Sequence, residues 1–244
     1  MPAAPANRLG IAHLLLWTTA TAIALAALGA VFPLPTAAMQ EEMFLPLQLF
    51  RRMWLQRMIA FAAAPAYGAA LAGIGLALFR LVRRQPGFPS QPGHWLLLYA
   101  GVYFIEIVGE RWLKDWPLNQ TLVGAVCMAL VVGISLLAAW HVRQPLRWRI
   151  VFWMFAIAAL WMATGMAIIQ VVGMEVARDN LAWFYFMPAI LLFAGLWGGP
   201  ICGLIDLFAA EKRDVFHWTG VVVAMATILH GAALFLAAIY VAIS

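Results

Sequence analysis

One carboxylate stands inside an otherwise apolar run. From Leu96 to Trp112 the chain reads LLLYAGVYFIEIVGERW, with Glu106 near its middle. Tyr99, Tyr103, Glu106 and Glu110 recur at spacings of four, three and four, which on a helix aligns them as one polar stripe. In hydrocarbon such a carboxylate costs a few kcal/mol or more unless it is paired, protonated or hydrated. The chemistry it suits is proton or cation relay, or a structural pair with another buried polar group. His230 is the matching candidate, as the one histidine well inside an apolar run, with Thr227 three residues before it. At ~1.5 Å per residue, Glu106 lies roughly 18 Å and His230 roughly 21 Å from the same ends of their helices. The expectation is a Glu106–His230 hydrogen bond or ion pair with Tyr103 and Thr227 beside it. The stripe should then face the last helix. The alternative is that each group meets a different polar partner or water.

A second feature is GLWGGPICG, which sets Gly195, Gly199 and Gly203 four residues apart with Pro200 among them. Small residues at this spacing let helices pack closely. Pro200 also removes a backbone donor, so the other reading is a broken helix lining a cavity, as in many transporters. Asp206 follows; it reads as a helix-end charge near Lys212 and Arg213, or, beside a broken helix, as an ion or proton relay.

The other four histidines, His13, His94, His141 and His217, fall at the same ends of their runs, level with Trp17, Trp95, Trp140, Trp148 and Trp218. An interfacial aromatic belt accounts for them. A haem reading would use His217 with His230 thirteen residues on, or with His13, His94 or His141, but no second helix carries two histidines. No HExxH, ExxH or close His/Cys cluster occurs, so neither a metal nor a cofactor is expected. Cys127 and Cys202 read as small core residues. Catalytic residues are not expected either. Glu41–Glu42 opens like the EExxxR motif of membrane-embedded CAAX-type proteases, but Pro46 stands where Arg belongs, and no FxxxH motif follows. The last run has no lysine for a retinal Schiff base.

These residues are carried by a chain of 244 residues that is 66% apolar and 10% charged, with a mean hydropathy of +0.92. A water-soluble fold is nearer half apolar and a quarter charged. The expected architecture is all-α, a polytopic membrane bundle forming a single transmembrane domain. Its seven spans are placed at about 11–32, 58–79, 94–112, 119–141, 150–174, 181–207 and 216–243. A segment at 43–57 reads as an interfacial amphipathic helix, as an amphipathic lead into the second span, or simply as a solvated end of that helix. The first run exceeds a signal-peptide core of about 7–15 residues and is read as a span that is kept. Arg8, Arg80, Arg83, Arg84, Arg143, Arg147, Arg149, Lys212 and Arg213 fall on the N-terminal side. Arg51, Arg52, Arg57, Arg111, Lys114 and Arg178 fall on the other. The positive-inside rule then places the N-terminus in the cytoplasm and the C-terminus outside, in a bacterial inner membrane. The expected partners are the lipid bilayer and further copies or other subunits within it. The net charge of +5 fits anionic lipid, and no basic stripe interleaved with aromatics suggests nucleic acid.

The opening RLGIAHLLLWTTATAIALA resembles the first span of uncharacterised bacterial multi-pass membrane proteins. The resemblance covers about 20 residues and implies a membrane span without an activity. Three functions stay open. They are a non-enzymatic component packing with itself or a partner, a small proton-coupled permease using Glu106 and His230, and a haem-binding redox subunit.

Overall fold

The computed structural model describes residues 11–32, 47–83, 89–112, 117–142, 145–172, 181–209 and 212–243, and among them it is helical with short turns and no strand. The helices are α1 (Ile11–Val31), α2 (Leu47–Val82), α3 (Pro92–Trp112), α4 (Pro117–His141), α5 (Leu146–Val172), α6 (Leu181–Phe208) and α7 (Val215–Ile243). Five of them contain stretches long and apolar enough to cross a membrane, namely Ile11–Val31, Met53–Val82, Val123–His141, Leu146–Gly165 and Val215–Ala233. Many large apolar side chains stay on the outside of the bundle, among them Leu15, Ile23, Leu137, Leu160, Val222 and Leu229. Each would forfeit ~1.5–3 kcal/mol of burial energy in water, whereas hydrocarbon solvates it. The chain is therefore a helical membrane protein.

Helices α3 to α7 form a ring in chain order, closed by direct packing of α7 on α3. Helix α2 packs against both α3 and α7, and α1 lies outside it, mainly against α2. Inside the ring, Trp95, Leu96, Trp148, Val151, Phe152, Phe155, Cys202, Val221 and Ala224 make one core. Cys127 lies in a second, between α3, α4 and α5, so both cysteines are packing residues.

Helix α1 buries a single stripe, Ala20, Ala24, Leu28 and Val31. It meets Ala60, Ala63, Ala64 and Tyr67 of α2 in a third cluster. Small residues set the distance: a Cβ on Gly68 would lie 2.6 Å from the Thr21 backbone. Arg57 then donates to the Phe32 carbonyl at 2.7 Å, satisfying a group at the end of α1. Hydroxyls with no water to meet turn back on their own helices, as Thr18, Thr164, Thr219 and Thr227 all do.

Two expectations change. The lead into the second span is not set off as a separate helix, because α2 runs without interruption from Leu47 to Val82. Residues 43–46 lie outside the described residues. Helix α6 likewise continues through Pro200 to Phe208 and is not broken. Its glycines are packing points against three different helices. Gly195 faces Phe155 of α5, Gly199 faces Leu96 of α3, and Gly203 faces Val221 of α7.

Candidate functional site

His230 is buried at 3% exposure, but its partner is not Glu106. Its Nδ1 lies 2.6 Å from the hydroxyl of Tyr67 on α2, and the two rings meet edge to face. Its Nε2 is also buried and has no hydrogen-bond partner among the described residues. The expected Glu106–His230 bond is therefore not formed. Tyr67 is itself fully buried and packs on Phe104 of α3 at a centroid distance of 4.8 Å, so at this depth a ring of α2 stands between His230 and Phe104.

Nor does the tyrosine stripe face α7. Tyr99 stacks on Phe155 of α5 at 4.5 Å, and Tyr103 packs against the α1–α2 cluster. Glu106 is half-buried on the same helix, and the side chain of Glu110 lies outside the described residues. The face of α3 that meets α7 carries Leu97 and Ala100 instead, in contact with Val223, Ala69 and Ala70. Thr227 is buried on α7, where its hydroxyl donates to the Val223 carbonyl at 2.9 Å and not to a second helix.

The densest polar constellation lies elsewhere, at the arginine-rich end of the bundle. Asp206, near the end of α6, has no exposed surface. Arg147 of α5 binds its Oδ1. Its Oδ2 accepts from Arg213 Nε at 3.0 Å and from the indole N–H of Trp148 at 3.1 Å. One carboxylate thus joins the start of α5, the end of α6 and the turn before α7. Charge-assisted bonds of this kind are the strong ones, and here they offset the cost of burying the ion.

The same end fixes two histidines in defined tautomers. His217 and His94 are both fully buried. Nδ1 of His217 accepts from the backbone N–H of Gly93 at 3.0 Å, so a neutral ring carries its proton on Nε2. That Nε2 lies 3.6 Å from Asp206 Oδ2, an ion-pair distance too long for a hydrogen bond. Nδ1 of His94 accepts from Ser90 N at 3.1 Å and Gln91 N at 3.4 Å, which leaves Nε2–H to donate to the Asp214 carboxylate at 2.9 and 3.1 Å. Asp214 also caps α7, accepting from His217 N at 2.8 Å, while its own N–H donates to Gln91 Oε1 at 3.1 Å.

These bonds serve a local need. The first backbone N–H groups of a helix have no partner within it. The imidazole of His217 takes the buried N–H of Gly93 in the first turn of α3, and that of His94 takes those of Ser90 and Gln91 just before it. The crossing is closest just there: a Cβ on Gly220 would run into the Gly93 carbonyl, and one on Gly93 into the His217 backbone. Proline at the first helical position, Pro92, suits the same start.

His13 and His141 conform better to a belt. His13 meets Phe216 edge to face at 5.3 Å, and His141 is exposed, tilted over Trp95, with Nδ1 bonded to the Leu137 carbonyl of its own helix. Among the described residues no three His, Cys, Asp or Glu side chains gather as a metal site.

The sequence held a signal for the Asp206 network. Asp206, Glu211 and Asp214 are the acids that the sequence puts at an end bearing nine basic residues. What it could not give is which helices bring Arg147, Trp148, His94 and His217 to them. No family model, curated protein or solved structure matches this chain.

Proposed function

We propose that the protein is a seven-span, non-enzymatic component of the bacterial inner membrane that packs with further copies of itself or with a partner subunit. Its N-terminus lies in the cytoplasm. Seven spans, not five, are supported by α3 and α6. At 21 and 28 residues each reaches across a ~30 Å hydrocarbon core, and each packs between helices that span. The arginine-rich end faces the cytoplasm by the positive-inside rule.

The observation that carries the non-enzymatic reading is how the polar groups are used. Asp206, Asp214, His94 and His217 are tied to one another's helices, and the glycines of α6 lie against neighbouring side chains in an unbroken helix. A rigid, cross-tied bundle suits assembly better than alternating access. Native mass spectrometry and cross-linking in native membranes test it. A homo-oligomer, or a stoichiometric partner retained in mild detergent, supports the reading. A strictly monomeric chain that retains no partner counts against it.

One observation favours a proton-coupled permease as the second reading, namely the buried Nε2 of His230 with no hydrogen-bond partner among the described residues, on the same bundle as the half-buried Glu106. Proton-driven uptake by proteoliposomes that is abolished in Glu106→Gln and His230→Gln, with folding intact, would establish it. The haem reading gains no such support, because Nδ1 of His217 accepts from Gly93, which leaves the ring proton on Nε2, the nitrogen that would have to ligate an iron.

A further inference from the structure

A fissure opens between α1 and α7 at the arginine-rich end, with α2 as its floor. Its volume is about 120 Å³, and Leu14, Trp17, Ala72, Gly73, Leu76 and Phe216 are among its lining residues. The space exists because the floor is made of small residues. At Gly73 it cannot be narrowed, since a Cβ there would already press on Leu97 at 3.0 Å. Thr219, on the α7 wall, spends its hydroxyl on the Val215 carbonyl, so it adds no free donor. The mouth lies on the outer surface, where Leu14 is 47% and Trp17 42% exposed, so it faces whatever solvates the bundle's sides. Apolar cavities of ~150 Å³ stay dry and take up benzene-sized hydrocarbon. With His13 at its edge as the one ionisable lining residue, this mainly apolar slot fits a segment of an extended hydrocarbon chain.

The floor continues into a charge. Ala72, Leu76 and Arg80 follow one another at four-residue spacing on α2, so Arg80 stands one turn, ~5.4 Å, beyond Leu76 on the same face. Among the described residues no carboxylate pairs with Arg80. Arg83, three residues on, lies over the Phe79 ring at 5.5 Å. A hydrocarbon slot that ends one turn below a guanidinium has the layout of a lipid, with its chain below and its phosphate above.

We propose that this fissure binds one acyl chain of an anionic phospholipid, with the headgroup phosphate on Arg80. The site does not depend on the assembly reading, since it is formed within one copy of the chain. The test is native mass spectrometry of the full-length protein titrated with phosphatidylglycerol or phosphatidylcholine bearing identical chains. Wild type should hold one phosphatidylglycerol about ten-fold more tightly than phosphatidylcholine. Ala72→Phe, which fills the slot, should abolish the tight phosphatidylglycerol adduct and weaken phosphatidylcholine binding as well. Arg80→Gln should keep a phosphatidylcholine-like affinity and lose the preference. Circular dichroism and melting of each variant report on folding, and Thr219→Phe fills the slot from α7 should Ala72→Phe fail to fold. A phosphatidylglycerol preference that survives in a folded slot-filling variant, or equal binding of the two lipids by wild type, overturns the proposal.

Discussion

The backbone N–H of Gly93 donates to Nδ1 of His217 at 3.0 Å, across the point where α3 and α7 come closest. One side chain thereby satisfies a buried N–H at the start of one helix from within another. The bond also links the protonation state of a buried ring to the approach of two backbones.

That crossing should not tolerate a methyl group. Gly220→Ala sets a Cβ into the Gly93 carbonyl, and the atom it meets is main chain that cannot rotate away. The expected loss is about 1–3 kcal/mol, the usual range for overpacking. Within α6, Gly203→Ala should behave similarly, because its Cβ would lie 2.6 Å from Val221. Gly199→Ala, with 3.5 Å to Leu96, should be close to neutral. Thermal melts of the three variants in one detergent rank them. Equal effects at Gly199 and Gly203 would contradict the packing described.

Acid should loosen the same end. A protonated His217 has no lone pair at Nδ1 and cannot accept from Gly93. The groups facing it are Asp206 from α6, Arg147 from α5, Arg213 and Asp214 from the turn before α7, and His94 from α3. Asp206 would welcome a cation, but two guanidinium groups already hold it. The neutral ring is thus the form that the fold uses. Stability should be full above the ordinary histidine range near about 6.5 and fall as the pH drops below it. Asn at position 217 offers an acceptor oxygen near the place of Nδ1 without titrating. His217→Asn should therefore flatten the profile of melting temperature against pH, and an unaltered profile would remove His217 from the account.

Removing the carboxylate at the centre of the network should be costly. Asp206→Asn leaves two guanidinium groups facing a neutral amide, and breaking a buried pair in this way costs about 3–5 kcal/mol. Arg213→Gln should cost less, since Arg147 and Trp148 still hold the carboxylate. Denaturant unfolding followed by tryptophan fluorescence would measure both, with Trp148 reporting from beside the site. A milder effect for Asp206→Asn than for Arg213→Gln would show that the carboxylate is not the hub.

The Tyr67–His230 bond allows a closed cycle. Tyr67→Phe removes only a hydroxyl, and the expected cost is about 1–2 kcal/mol, because a buried ring nitrogen loses its partner. In the double variant Tyr67→Phe/His230→Phe the coupling energy should appear as a clear departure from additivity. Additive effects would mean that the 2.6 Å contact contributes nothing specific.

The sequence was most legible where one physical rule dominates. Apolar run length defined the seven helices, and their observed ends fall within a few residues of the expected spans except at α2, where no break separates the lead from the span. Small-residue spacing pointed to α6 as a packing helix, and its glycines lie against side chains of three neighbours. The site was less legible because depth along a helix is readable and azimuth is not. Glu106 and His230 do occur at comparable depth by residue count, but Tyr67 reaches His230 from α2, a helix that had no part in the expected pairing. Likewise His94 and His217 have the composition of an interfacial belt. Only the close crossing at Gly93 and Gly220 turns them inward onto main-chain donors.

The closure of the ring by α3 and α7 has a consequence for biogenesis. A ribosome delivers α3 well before α7, so the Gly93 N–H at the start of α3 has no imidazole of His217 until the final helix arrives. Asp206 and Arg147 can meet as soon as α6 is made, whereas Arg213 and the Gly220 contact must wait. Loss of α7 from His217 onward therefore unseals a helix translated more than a hundred residues earlier, and quality-control proteases that probe exposed polar backbone would find the defect at α3, far from the missing segment in sequence.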